Sequence, residues 1–209
     1  KDKNLDNQNL AYSAIEIERD FLNEPGGIQD QVAAAFGGVC LFTYNFKNGI
    51  ENLRPPYAQK ISELIENNLY LGYTKTQRNS FEVINSIRKK ESQDKYLKDL
   101  VEESQKLNQK IINSLPNAKD FYTTVTEGLK VTSELKQKIL EITDNSFPKE
   151  LVDNLRKSPF DCFKFMGGGG GGFFFVISKE KYSKKDLMNF LPSVSIWNQI
   201  EVSKFGSRI

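Results

Sequence analysis

Two glycine-bounded segments hold the residue types that could do chemistry in this chain. The first runs Pro25-Gly26-Gly27-Ile28-Gln29-Asp30-Gln31 and continues through Val32-Ala33-Ala34-Ala35-Phe36 to Gly37-Gly38. An acid held in a glycine-bounded turn can orient a substrate hydroxyl or accept its proton. Asp is equally a preferred cap for the short helix that the three alanines suggest, and the residues alone leave both readings open. Gln29 and Gln31 each offer an amide donor and acceptor suited to hydroxyl groups. The second segment is Gly167, Gly168, Gly169, Gly170, Gly171 and Gly172, set between Phe165-Met166 and Phe173-Phe174-Phe175-Val176. Six glycines lose more conformational entropy on ordering than any other residues would. A flexible linker would normally carry polar flanks. These flanks are apolar, which points to an ordered turn inside one core, with backbone N–H groups that suit phosphate. The run matches neither the Walker loop nor the dinucleotide fingerprint.

Composition narrows the chemistry. There is no histidine, so a Ser-His-Asp or Cys-His site is excluded, and carboxylates, backbone amides, Lys, Arg and hydroxyls must do any work. The 29 Lys and Arg against 27 Asp and Glu give a net charge of +2. That is not the basic excess of a nucleic-acid-binding protein. No apolar run approaches the roughly 20 residues of a membrane span, and residues 1–9 are too polar for a signal peptide, so a cytoplasmic protein is expected. Cys40 and Cys162 stand far apart in apolar surroundings and read as buried thiols.

The elements that must position these segments follow from periodicity. Leu10, Ala14, Ile17 and Phe21 predict a helix over residues 7–22, stopped by Pro25, Gly26 and Gly27. A short helical turn at 33–35 precedes a buried strand over 39–46, a turn at Lys47-Asn48-Gly49 and a returning strand over 50–53. Pro55 and Pro56 mark a domain border before a short helix at 58–67. A strand over 69–74 then leads to a helix bearing Phe81, Ile84 and Ile87, and two longer helices follow, the first ended by Pro116. A helix after Pro148, strands at 160–166 and 173–177, a helix capped by Ser183 with Asp186, and a strand alternating Val194, Ile196, Ile200 and Val202 complete the chain. This order is α+β, with a two-layer domain of split βαβ type.

Taken in this order, the two glycine-bounded segments resemble the GHMP kinase superfamily, and most closely its heptose-phosphate kinase branch. Gly27 to Gly38 follow that branch's G-x-Q-D-Q-x-A-A-A-F-G-G sequence, and Lys164, Gly167 to Gly172 and Phe173 follow its lysine, G-A-G-G-G-G and aromatic residue. Between them, Tyr73-Thr74-Lys75-Thr76-Gln77-Arg78 follows Y-T-G-x-x-R, except that Lys75 replaces the glycine; Gly168 stands where alanine is usual.

The resemblance implies a partial GHMP kinase fold. Residues 1–56 would be the later part of the N-terminal domain and residues 57–209 a two-layer, ferredoxin-like C-terminal domain. It implies ATP and Mg as cofactors, with transfer of the γ-phosphate to the anomeric hydroxyl of a sugar or sugar phosphate such as heptose 7-phosphate. Fucose- or galactose-type sugars are the alternative acceptors. Asp30 would be the catalytic base. Gln29, Gln31, Thr74, Arg78 and Lys164 would bind substrate, and the run from Gly167 to Gly172 would lie near the transferred phosphate. Arg78 and Lys164 read equally well as solvated cations. The glycine- and serine-rich nucleotide loop and the magnesium ligands of such kinases have no counterpart in these 209 residues, so no metal site is expected here. The chain reads as a C-terminal fragment, inactive alone. A non-catalytic binder of a sugar phosphate or of a partner chain is the competing reading.

Overall fold

The structure is a computed structural model that describes residues 6–23, 27–45, 49–75, 80–145, 148–167 and 172–207. The chain forms two compact units: Lys1–Glu66 with Glu201–Ile209, and Asn67–Ile200. The second unit begins at Asn67, ahead of the strand Leu69–Tyr73, and Glu201–Ile209 groups with the first.

In the first unit, α1 (Asn7–Glu16) opens on Asp6, whose side chain accepts from the Asn9 N–H, and runs on into one π-helical turn at Ile17–Phe21. Helix α2 (Gln29–Phe36) lies against it, with Ala11, Val32, Ala35 and Ile50 forming a small core. Alanine at positions 11 and 35 lets the two helices approach closely. Strands β1 (Leu41–Asn45) and β2 (Gly49–Leu53) pair antiparallel as a hairpin. The strand expected to be buried over 39–46 is shorter and only half-covered, with Thr43 and Tyr44 exposed, because β2 is its one strand partner among the described residues. Cys40 is half-buried, its thiol donating to Gly37 O at 3.3 Å, whereas Cys162 is buried as expected. The Tyr12 hydroxyl accepts from Ile50 N at 3.0 Å and fills the space that a side chain at Gly49 would take.

Helix α3 (Ala58–Asn68) leads into β3 (Leu69–Tyr73), the first strand of the second unit. Then come α4 (Ser80–Glu91), α5 (Lys95–Ser114), a 3-10 turn containing Pro116, α6 (Phe121–Ile142) and α7 (Lys149–Lys157). Helices α5 and α6 start on Asp94 and Asp120, whose carboxylates accept first-turn N–H groups and supply the bonds that a helix start lacks. Strands β4 (Cys162–Phe165) and β5 (Phe173–Ile177) flank the glycine run. Helix α8 (Lys184–Phe190), with the Ser183–Asp186 capping box, precedes β6 (Ile196–Gln199).

The sheet order is β4-β5-β3-β6 with every pair antiparallel. Numbered within the sheet this is 2-3-1-4, the split βαβ arrangement that the element order predicts. At its centre Gly72 stands between Phe174 and Trp197 in register, and a β-carbon there would lie 2.6 Å from Phe174 Cζ. Glycine therefore lets the two rings meet edge-on at 5.5 Å across β3. The core gathers on this pair, with Tyr70, Phe165, Leu155 and Leu187 around it.

Candidate functional site

In the first unit, Gln29, Asp30 and Gln31 form the opening turn of α2. The cap is Ile28, which makes no side-chain capping bond, so Asp30 is not the helix cap that its residue type allows. Its carboxylate is exposed on the first turn, where a negative charge suits the positive end of the helix. The Gln29 amide folds over Gly27, in space that a side chain at Gly27 would take. Gln31 is half-buried, and its Oε1 finds no donor among the described residues. A buried acceptor of this kind calls for a partner.

The far end of α2 is pinned by the C-terminal segment. Ser207 N donates to Ala34 O at 2.8 Å and Gly38 N to Ser203 O at 2.6 Å. Gly206 passes so close to Ala35 O that a β-carbon would collide with it. Nothing in the composition of residues 201–207 announces this role. The contact is made through backbone, which leaves no side-chain signature beyond the glycine itself.

In the second unit, the glycine run begins and ends at two defined points. Phe173 pairs with Tyr73, and one residue further along Thr74 faces Gly172. Thr74 N and Oγ1 both donate to Gly172 O, each at 3.0 Å, and Gly172 N donates to Thr74 Oγ1 at 3.1 Å. Thr74, expected among the substrate-binding residues, is placed here on the glycine run. At the other end Met166 N donates to Phe173 O at 2.9 Å, and Gly167 turns with φ +62. Lys136 of α6 donates to Phe165 O at 3.1 Å and to Gly167 O at 2.5 Å. Arg78 and Gly168, Gly169, Gly170 and Gly171 lie outside the described residues.

Lys75, which replaces the glycine of the motif quoted above, has φ +60. The backbone takes a left-handed turn here, for which glycine is the natural residue, so a lysine at this position is strained.

Lys164 sits on β4, half-buried, and its burial lowers its proton affinity. It is thus not the freely solvated cation its sequence position also allowed. Lys136 is pushed down to about 8, first by burial and then by the like charge of Lys164. Two lysines whose proton affinity is lowered by burial stand beside the start of the glycine run, an arrangement that a nearby anion would stabilise. Among the described residues no group of three or more acidic or sulfur side chains gathers as a metal cluster would. A cavity of about 220 Å³ between α6, α7 and β4, lined by Lys130, Gln137, Arg156 and Asp161, touches none of the expected site residues. No helix among the described residues is long and apolar enough to cross a membrane.

No protein-family profile and no curated protein matches the sequence. Solved structures do match in fold. The chain is similar to the mevalonate kinase of Leishmania major, solved with R-mevalonate, at 16% identity and a TM-score of 0.65, covering 96% of this chain and 60% of that one. A putative sugar kinase from Campylobacter jejuni matches at 23% identity and a TM-score of 0.57, covering 98% and 57%. A D-glycero-D-manno-heptose 1-phosphate kinase from Bacteroides thetaiotaomicron matches at 16% identity and a TM-score of 0.51, covering 97% and 55%. The chain therefore shares part of its fold with these three kinases and spans between 55% and 60% of their length.

Proposed function

We propose that this chain is the acceptor-side part of a sugar kinase of the GHMP type, whose intact protein transfers the γ-phosphate of ATP to the anomeric hydroxyl of a sugar or sugar phosphate, with heptose 7-phosphate as the acceptor. Residues 1–56 correspond on this reading to the later part of such a kinase's N-terminal domain, and residues 57–209 to its C-terminal domain. The observation that carries the proposal is the exposed Asp30 on the first turn of α2, set between two glutamines and backed by a helix whose other end is pinned.

Phosphoryl transfer asks little covalent work of a protein; it needs an aligned hydroxyl and compensation of charge on the phosphate. Asp30 meets the first need by accepting the hydroxyl's hydrogen bond and then its proton. The unpaired Gln31 Oε1 is suited to a sugar hydroxyl. Lys164 and the glycine run are suited to phosphate. Arg78, on the resemblance to that family, would meet the acceptor's own phosphate. Magnesium would come with the nucleotide.

The fold alone does not select the acceptor, since a mevalonate kinase and a heptose phosphate kinase both match it. The choice of sugar rests on the G-x-Q-D-Q segment. The test is ADP release by the full-length protein with ATP against a panel of free and phosphorylated sugars, with heptose 7-phosphate giving the largest kcat/KM. Turnover with no acceptor overturns the kinase reading. Saturable sugar-phosphate binding without turnover supports the competing reading, a non-catalytic binder.

A further inference from the structure

On the kinase reading the two described ends of the glycine run, Gly167 and Gly172, need fixed positions, and the structure gives each a separate anchor. Thr74 holds Gly172 from the end of β3. At the other end the anchor comes from α6, 31 positions away from Gly167 in sequence. We infer that Lys136 is a positioning residue for the transfer reaction: its Nζ bridges the carbonyls of Phe165 and Gly167 and so fixes where β4 ends and the glycine run begins.

A half-buried lysine normally extends its stem along apolar surface and leaves its ammonium in water. Lys136 instead turns its ammonium onto two backbone carbonyls, and it makes no ion pair among the described residues. Side-chain packing does not hold the turn at Gly167, since a β-carbon there would meet nothing within 4 Å. Hydrogen bonding to the carbonyls is what ties it down. Burial and the charge of Lys164 push Lys136 to about 8. The bridge outlasts the charge, because a neutral amine still carries two N–H donors, one for each carbonyl.

The inference rests on the kinase reading for its function but not for its geometry, and the experiment separates the two. Amide hydrogen exchange is measured on the whole chain. In Lys136→Met, which keeps the aliphatic stem, the Met166 amide at the start of the run exchanges roughly tenfold faster, the effect of losing about one hydrogen bond at the strand end. The Gly172 amide, held by Thr74, keeps its rate. Thr74→Val gives the converse. Equal acceleration at both ends is a general loss of stability and overturns the inference, as does an unchanged Met166 rate. Should Lys136→Met fail to fold, Lys136→Gln, which lacks the reach to bridge both carbonyls, is read in the same way. In the kinase assay Lys136→Met lowers kcat by roughly 10-fold to 10²-fold with the acceptor KM changed less than about twofold. An unchanged kcat beside a loosened Met166 amide overturns the role in the reaction. A wild-type protein with no sugar-kinase activity overturns the kinase reading and its transfer role for Lys136, and the exchange rates then decide the anchor.

Discussion

The Thr74 hydroxyl closes on Gly172 from both sides, receiving its N–H at 3.1 Å and donating to its carbonyl at 3.0 Å. One side chain thereby replaces the strand partner that the glycine run cannot supply for itself. Thr74→Val keeps the shape and the backbone bond but leaves the Gly172 N–H without its acceptor. The expected loss is about 1 kcal/mol in chemical denaturation, with faster exchange of the Gly172 amide. Thr74→Ser retains the hydroxyl and should stay near the wild type. Equal behaviour of the two variants would detach the hydroxyl from this role.

Asp30 is exposed and caps nothing, so removing its charge should spare the fold. Asp30→Asn in the full-length enzyme is expected to lower kcat by roughly 10² to 10⁴, the range for losing a general base, with thermal unfolding unchanged. A drop in stability with no specific kinetic effect would give Asp30 a purely structural part.

Lys75 at φ +60 is a lysine where the backbone favours glycine. A left-handed conformation costs an L-residue about 1–2 kcal/mol, while glycine costs about 0.5–1 kcal/mol in extra chain entropy. The first effect is the larger. Lys75→Gly should therefore stabilise the second unit by roughly 0.5–1 kcal/mol, read as a higher denaturation midpoint at constant m-value.

Which parts of this were legible in the sequence depends on where each signal resides. Helix limits were legible because they are written in side chains: Pro116 ends the helical run after α5, and Ser183 with Asp186 starts α8. The last strand runs in the opposite phase to the one its alternation predicts. Val194 is buried before the strand begins, in a turn whose N–H bonds to Leu191 O, so counting alternation from it put Ile196 inward. Ile196 is 43% exposed, and Trp197 faces the core. Asp30 could be picked out from its neighbours, but not whether it capped α2. Lys136 could not be found at all, since its partners are backbone carbonyls and a carbonyl has no letter in a sequence.

The lowered proton affinity of Lys136 makes stability depend on pH with a definite sign. Its folded value is about 8, against an ordinary 10.5. Between these values the unfolded chain binds more protons than the folded one, so stability rises as pH increases from 8. Cys162 acts oppositely: burial, aided by Asp161, pushes it from 9.0 up to about 12, so the unfolded chain loses that proton first and stability falls above pH 9. Tyr122, raised by burial and its bond to Asp161, falls in with Cys162 from its ordinary 10.0 upward. Lys164, also lowered by burial, acts in the same direction as Lys136 but is present in both the wild type and Lys136→Met, so over pH 8 to 9 the difference between the two reads Lys136. Over this range the wild type should gain up to about 1 kcal/mol relative to Lys136→Met, less as solvent screens the site. Urea denaturation of the two proteins at closely spaced pH values measures the difference. In a Cys162→Ala background the rise should continue toward pH 10. A wild-type curve parallel to that of Lys136→Met from pH 7.5 to 9 would mean that the ammonium is solvated in the folded protein, and that the two carbonyls do not hold it out of water.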